Sequence, residues 1–210
     1  AALLLSTSLA GCGKTAPAPT PTAPVSTEEP VSPAAPAETP EAATPAGRQD
    51  GERFETVILL EGMEETVRYE HVRNEALGFE MDYDYESFLR AGEEDRERFI
   101  SLWDDPESPE NYLEVTRRPE DAEAAAAAIR DELAGEYTCT EEPWVLDGAR
   151  ECLRIDASDE QTGRLQTVTV IPADGGCLVA AAHCTFESAE GFGRRFGYLV
   201  NTISPIRRPE

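Results

Sequence analysis

The pattern of apolar and polar positions changes character near residue 54, where alternation of the strand type begins. Phe54 to Leu60 and Glu64 to His71 flank Glu61-Gly62 and predict a hairpin, with Val67, Tyr69 and His71 on one face. In Leu77 to Tyr85, the residues Phe79, Met81, Tyr83 and Tyr85 alternate with Glu80, Asp82 and Asp84. That alternation predicts a half-buried strand with a solvated carboxylate face. Glu86 to Phe99 is heavily charged and reads as a short helix or a loop. Ile100 to Trp103 and Asn111 to Arg117 read as strands, joined by the Pro- and acid-rich turn Asp104 to Glu110.

Pro119, with Glu120 and Asp121, predicts a helix start, because proline suits the first helical position and acids suit the positive end of the helix dipole. Ala122, Ala126, Ile129 and Leu133 then form a narrow apolar stripe that Gly135 ends. Tyr137 to Leu146, Ala149 to Ser158, Arg164 to Ile171 and Cys177 to Phe186 are separated by Asp147-Gly148, Asp159 to Gly163 and Pro172 to Gly176. Those separators have turn chemistry, so the segment predicts an antiparallel meander. Ser188 is placed to cap a last helix in which Phe192, Phe196, Leu199, Val200 and Ile203 share a face and Pro205 ends the run. Gly191, Gly193 and Gly197 make that helix intrinsically poor, so packing on the sheet must hold it.

Before residue 54 nothing of this kind is present. Lys14 to Asp50 is a run of Pro, Ala, Thr, Ser and Glu without an apolar period, expected to act as an extended or disordered tether. In polyproline II geometry it reaches on the order of 100 Å. The expected organisation is therefore a signal segment at 1–11, a linker at 12–50 and one α+β domain at 54–205. The net charge is −24, from 42 Asp and Glu against 18 Lys and Arg, and Lys14 is the only lysine. A polyanion of this strength argues against nucleic acid, which is held by basic patches, and keeps the domain itself off anionic lipid headgroups.

Ala1 to Ala10 is too short to cross a bilayer, which takes about 20 apolar residues, but it has the length of a secretory signal core. Leu9-Ala10-Gly11-Cys12 resembles the lipobox of bacterial lipoproteins. The resemblance implies cleavage before Cys12 and a diacylglycerol on its thiol, which anchors the chain to a membrane without spanning it. With no Met and no basic segment ahead of Ala1, the sequence is expected to begin inside the signal.

The order of elements carries a second resemblance. An early Gly-Phe strand (Leu77-Gly78-Phe79-Glu80-Met81-Asp82-Tyr83) precedes a strand pair and a helix, then a four-strand meander and a closing helix. From Leu77 to Ile203 this is similar to the PsbP-like α/β/α sandwich of lipoproteins in Gram-positive anaerobes. The resemblance implies a mainly antiparallel sheet with flanking helices and a non-enzymatic accessory or binding role. It supplies no catalytic set. The hairpin Phe54 to His71 lies outside that pattern.

Four cysteines, Cys139, Cys152, Cys177 and Cys184, form an even set in a domain expected to be exported. Cys177 and Cys184 lie in one strand, roughly 23 Å apart, and cannot bridge each other. With a hairpin turning at Asp147-Gly148, Cys152 is expected opposite Pro143, and only a break there brings Cys139 to it; semi-buried free thiols are the favoured state. His183 and Cys184 are adjacent, but successive strand residues face opposite ways, so the imidazole cannot serve the thiol. His71 and His183 are expected as core or rim residues. Asp82, Asp84, Glu86 and Glu93 have an EF-hand-like spacing, but Ser87 stands where the turn needs glycine and a strand precedes it, so a solvated acidic face is favoured over calcium.

With no nucleophile–base pair, metal cluster or phosphate-binding glycine loop in the sequence, the expected function is non-catalytic. The chain is read as a monomeric, membrane-anchored extracytoplasmic binding or accessory module, without cofactor or metal, for an unspecified protein or small molecule. A transporter's solute-binding component and a cell-surface hydrolase are the alternatives.

Overall fold

The computed structural model describes residues 47–60 and 62–206, which fall within one compact unit. The signal segment, Cys12 and most of the linker lie outside the described residues. Among those described, no helix is long and apolar enough to cross a membrane.

Among the described residues, eleven strands form two antiparallel sheets. The smaller contains β1 (Arg53–Leu60), β2 (Met63–Asn74), β3 (Phe79–Asp84) and β11 (Ser204–Pro205), in the order β1-β2-β3-β11. The larger contains β4 (Phe88–Gly92), β5 (Arg96–Ser101), β6 (Tyr112–Arg118), β7 (Thr138–Leu146), β8 (Arg150–Asp159), β9 (Arg164–Ala173) and β10 (Gly176–Thr185). Its order is β4-β5-β6-β10-β9-β8-β7. Helix α1 (Ala122–Leu133) covers one face of the larger sheet, and helix α2 (Ala189–Thr202) packs against β3 and β10 on the other side. The expected α+β sandwich, mainly antiparallel with a helix on each side, is the fold observed. The hairpin β1–β2 extends the smaller sheet beside β3.

Strand period places the core. Along β10, Leu178, Ala180 and Ala182 face a cluster containing Val72, Phe79 and Met81 of the smaller sheet and Phe196, Leu199 and Val200 of α2. The alternate residues Cys177, Val179 and Ala181 face Ala125, Ala126 and Ile129 of α1. β10 is therefore buried on both faces, which accounts for its unbroken apolar run.

Four local expectations are corrected. Glu86 to Phe99 is a hairpin, β4–β5, not a helix or loop. There Phe88 and Phe99 turn into the core, while Arg90 holds Glu97 at 2.7 Å, so the charges of this segment are paired across the strands. Helix α1 begins after Asp121, whose carboxylate accepts the Ala124 N–H at 2.8 Å; Pro119 precedes the helix. Ser188 stands before α2 but makes no side-chain cap, because its hydroxyl is engaged with Thr185 and Asn111. The β7–β8 turn contains Asp147, Gly148 and Ala149, with Ala149 at φ 57°, so Cys152 lies opposite Trp144 and not Pro143.

Candidate functional site

The acidic strand was expected to face solvent, and it does not. Asp82 and Asp84 of β3 are buried, on the same face as their cross-strand partners His71 and Tyr69 of β2. His71 Nδ1 is 2.7 Å from an Asp82 carboxylate oxygen, and the other oxygen accepts from Arg48 at 3.2 Å. Asp84 accepts from the Ser87 hydroxyl at 2.5 Å and from Arg195 of α2 at 3.3 Å. Arg195 also donates to Glu65 at 3.2 Å. The carboxylates are tolerated in the interior because each has charge-assisted partners. Burial, with the nearby Asp84 and Asp82 charges, pushes the Tyr69 phenol well above its ordinary range. Glu86 instead pairs outside with Arg68 at 2.8 Å, and Glu93 lies beside Arg96 at 3.5 Å. The four acids of the EF-hand-like spacing are thus not brought together. Among the described residues, no group of three or more His, Cys, Asp and Glu is arranged to hold a metal ion. The charged cluster is a clasp: its partners fasten α2 and the segment before β1 to the smaller sheet.

Cys139, Cys152, Cys177 and Cys184 are all free thiols, and burial raises the pKa of each. Cys177 lies under α1, whereas Cys184 packs against the opposite core. His183 is on the α1 side of β10, stacked on Tyr112 with ring centroids 4.3 Å apart. Imidazole and thiol therefore point away from each other, as the strand period requires.

The feature that sequence reasoning missed is a cleft of about 250 Å³ between α2 and the inner face of the meander. The sheet contributes Trp144, Arg154, Thr167, Thr169 and Cys184, and α2 contributes Gly193, Gly197 and Asn201. The register explains the sheet side: Arg154 pairs with Thr169 and Asp156 with Thr167, all on the face away from α1. Arg154 lies over the Trp144 ring at 4.7 Å and donates to Asp156 at 2.9 Å, which fixes the guanidinium at the mouth. The helix side is set by glycine. A Cβ at Gly193 or Gly197 would meet nothing within 4 Å, so neither glycine is required by close packing. The glycines were legible in the sequence as a weakness of the helix; the space beside them was not. The lining combines an aromatic plate, donors and acceptors, and contains neither a carboxylate nor an imidazole.

Fold and cleft together define a layered α+β domain with a lined, open groove on its sheet. The chain is similar to the cyanobacterial PsbP, CyanoP, from Synechocystis sp. PCC 6803 in its solution structure, at 11% identity over 65% of this chain and 92% of that one, with a TM-score of 0.48. It is also similar to a crystal structure from Bacteroides thetaiotaomicron VPI-5482, at 11% identity over 77% of this chain and 51% of that one, with a TM-score of 0.36. No family model matches the chain, and no curated protein matches it. These likenesses transfer no residue role to this chain.

Proposed function

We propose that the protein is a non-catalytic binding module, held at the extracytoplasmic face of a membrane by a lipid on Cys12, and that it takes its ligand in the cleft beside α2. The observation that carries the reading is the cleft lining. It offers Trp144 and Phe196 as apolar surface and Arg154, Thr167, Thr169 and Asn201 as hydrogen-bonding groups. Its one thiol, Cys184, has its pKa raised by burial and no imidazole or carboxylate beside it in the lining, while the Thr167 hydroxyl donates to Asp156, a carboxylate already paired with Arg154. Such a lining is suited to recognising and orienting a ligand. The Leu9-Ala10-Gly11-Cys12 sequence supports the anchor, and the proline-rich stretch after it supports a spacer between membrane and domain.

Two measurements test the proposal. Mass spectrometry of the mature amino terminus is expected to find Cys12 diacylated; cleavage elsewhere or an unmodified Cys12 removes the anchor. A photo-crosslinking aromatic residue at position 144 is expected to capture a discrete ligand or partner in native membranes, with less capture when Gly193 and Gly197 are both alanine. Absence of an adduct, or capture indifferent to those alanines, removes the cleft from the reading.

A further inference from the structure

The larger sheet has a second recess on its other face, beyond the C-terminal end of α1. Helix α1 covers Cys177, Val179 and Ala181 of β10 but stops short of His183. The recess there encloses about 450 Å³. Its walls are the sheet residues Tyr112, Arg164 and His183, with Tyr137 just after the helix and Glu110 in the loop before β6. The register puts them together: His183 pairs with Tyr112, and Arg164 lies opposite Thr185 at the neighbouring strand end.

Thr162 and Thr185 at the edge of this recess are bonded to Asp159 and Ser188, and Asp159 lies across the strands from Arg164, but the other polar heads make no hydrogen bond within the described residues. Among the described residues, neither the Tyr112 and Tyr137 hydroxyls, nor the His183 ring, nor the Arg164 guanidinium has a hydrogen-bond partner. Elsewhere in this domain most arginines are paired with carboxylates or carbonyls, as with Arg90, Arg98, Arg150 and Arg195, while Arg194, like Arg164, has no such partner among the described residues. Polar groups that converge on a concave site and make no bond within the protein are free to bond a polar ligand there.

We infer that this recess binds a small hydroxylated monocarboxylate, of the sugar-acid or hydroxy-acid class, through Arg164, His183, Tyr112 and Tyr137. Each part of the ligand follows from a residue. Arg164 offers a planar pair of donors suited to one carboxylate. Burial holds His183 neutral at pH 7, with Glu114 opposing and Arg98 reinforcing the shift, so its ring presents one donor and one acceptor, the complement of a hydroxyl. The two phenols supply further hydroxyl contacts. The volume accommodates a single six-membered ring with its substituents. Glu110 in the wall and the net charge of −24 disfavour a dianion such as phosphate against a singly charged ligand.

The probe is D-glucuronate, with D-glucose and inorganic phosphate as controls, added to the whole chain and read from the imidazole resonances of His71 and His183. Glucuronate is expected to shift the His183 ring signals saturably and leave buried His71 unmoved. Glucose, with the same ring but no charge, and phosphate should bind at least about tenfold more weakly. Arg164→Ala should weaken glucuronate by about tenfold or more, and Tyr137→Phe by less. Arg164 is exposed, and Tyr137 only half-buried, so unchanged urea unfolding will show that either variant still folds. No saturable shift with glucuronate, an equal shift of His71, an equal response to glucose or phosphate, or an Arg164→Ala variant that binds as well would each overturn the assignment. Failure here leaves the cleft beside α2 untouched: although Cys184 borders both, Tyr112, Arg164 and His183 lie on the face opposite Arg154, Thr167 and Thr169.

Discussion

Replacing Gly193 and Gly197 by alanine is expected to make the protein more stable. Both lie inside α2 and have no positive φ. Glycine in a helix interior is less favourable than alanine by about 1 kcal/mol, because the unfolded chain loses more freedom at glycine and the helix gains no side chain. That gain is normally cancelled where the glycine admits a close neighbour. Here it is not, since an added Cβ at either position has no heavy atom within 4 Å. The two substitutions together should therefore raise the unfolding free energy by about 1.5–2 kcal/mol, less whatever the methyls lose by displacing water from a polar cleft. Urea unfolding followed by circular dichroism is the assay. The midpoint should rise while the slope with denaturant stays constant, since the buried surface is unchanged. The same methyls narrow the cleft, so added stability should come with reduced capture of the ligand at position 144. Destabilisation of the double variant, or a changed slope, would show that the glycines serve packing and would refute this account of the cleft.

The stack of His183 on Tyr112 predicts a pH dependence. Burial pushes the imidazole from 6.5 down to about 4, so the unfolded chain binds a proton in that interval and the native one does not. Stability contributed by this residue is full above pH 6.5 and falls as pH drops toward 4, by at most about 3 kcal/mol. His183→Phe keeps a ring for the stack and should flatten that slope in urea unfolding from pH 7 to 4.5; an unchanged slope would exclude His183 as its source. Gly176, at φ 139°, has its Cα hydrogen directed at the chain where β6 turns toward α1, and an added Cβ would sit against the Arg118 carbonyl oxygen and 3.0 Å from Pro119 Cα. Gly176→Ala should cost about 3 kcal/mol, through backbone strain and the displacement of β6, and a loss below about 1 kcal/mol in the same assay would contradict the geometry.

The parts of the fold that were legible in the sequence are those in which one period dominates. The meander from Thr138 to Thr185 is marked by its turn residues, and its strand pairing is antiparallel throughout. Both helices stand where the 3.6-residue pattern places them. The misreadings share a cause. At Arg90 and Glu97, at Asp82 and His71, and at Asp84 and Arg195, a charged residue is buried against a partner on another strand or helix. Periodicity registers the charge and not the partner, so β4 read as a helix or loop and the Asp82 face as solvated. The cleft was hidden for a related reason: it belongs to residues of α2 and four strands at once, and only its glycines left a local trace.

Those buried charges also account for how a glycine-rich helix can leave one side empty. Around its axis α2 meets three different surroundings. Phe192, Phe196, Leu199 and Val200 enter or border the core, where Phe196 lies 5.4 Å from the Phe88 ring. Arg195, Tyr198 and Thr202 turn to the smaller sheet, bonding respectively to Asp84 and Glu65, to the Leu59 backbone, and to the Asp82 backbone. Gly193, Gly197 and Asn201 face the cleft. A helix with weak intrinsic propensity frays unless tertiary contacts hold it. Apolar packing alone leaves rotation about the axis loosely fixed, whereas directional bonds at three successive turns define it. The strand that places Asp82 and Asp84 inward thereby sets the angle at which α2 stands over the larger sheet, and with it the width of the groove between Trp144 and the glycines.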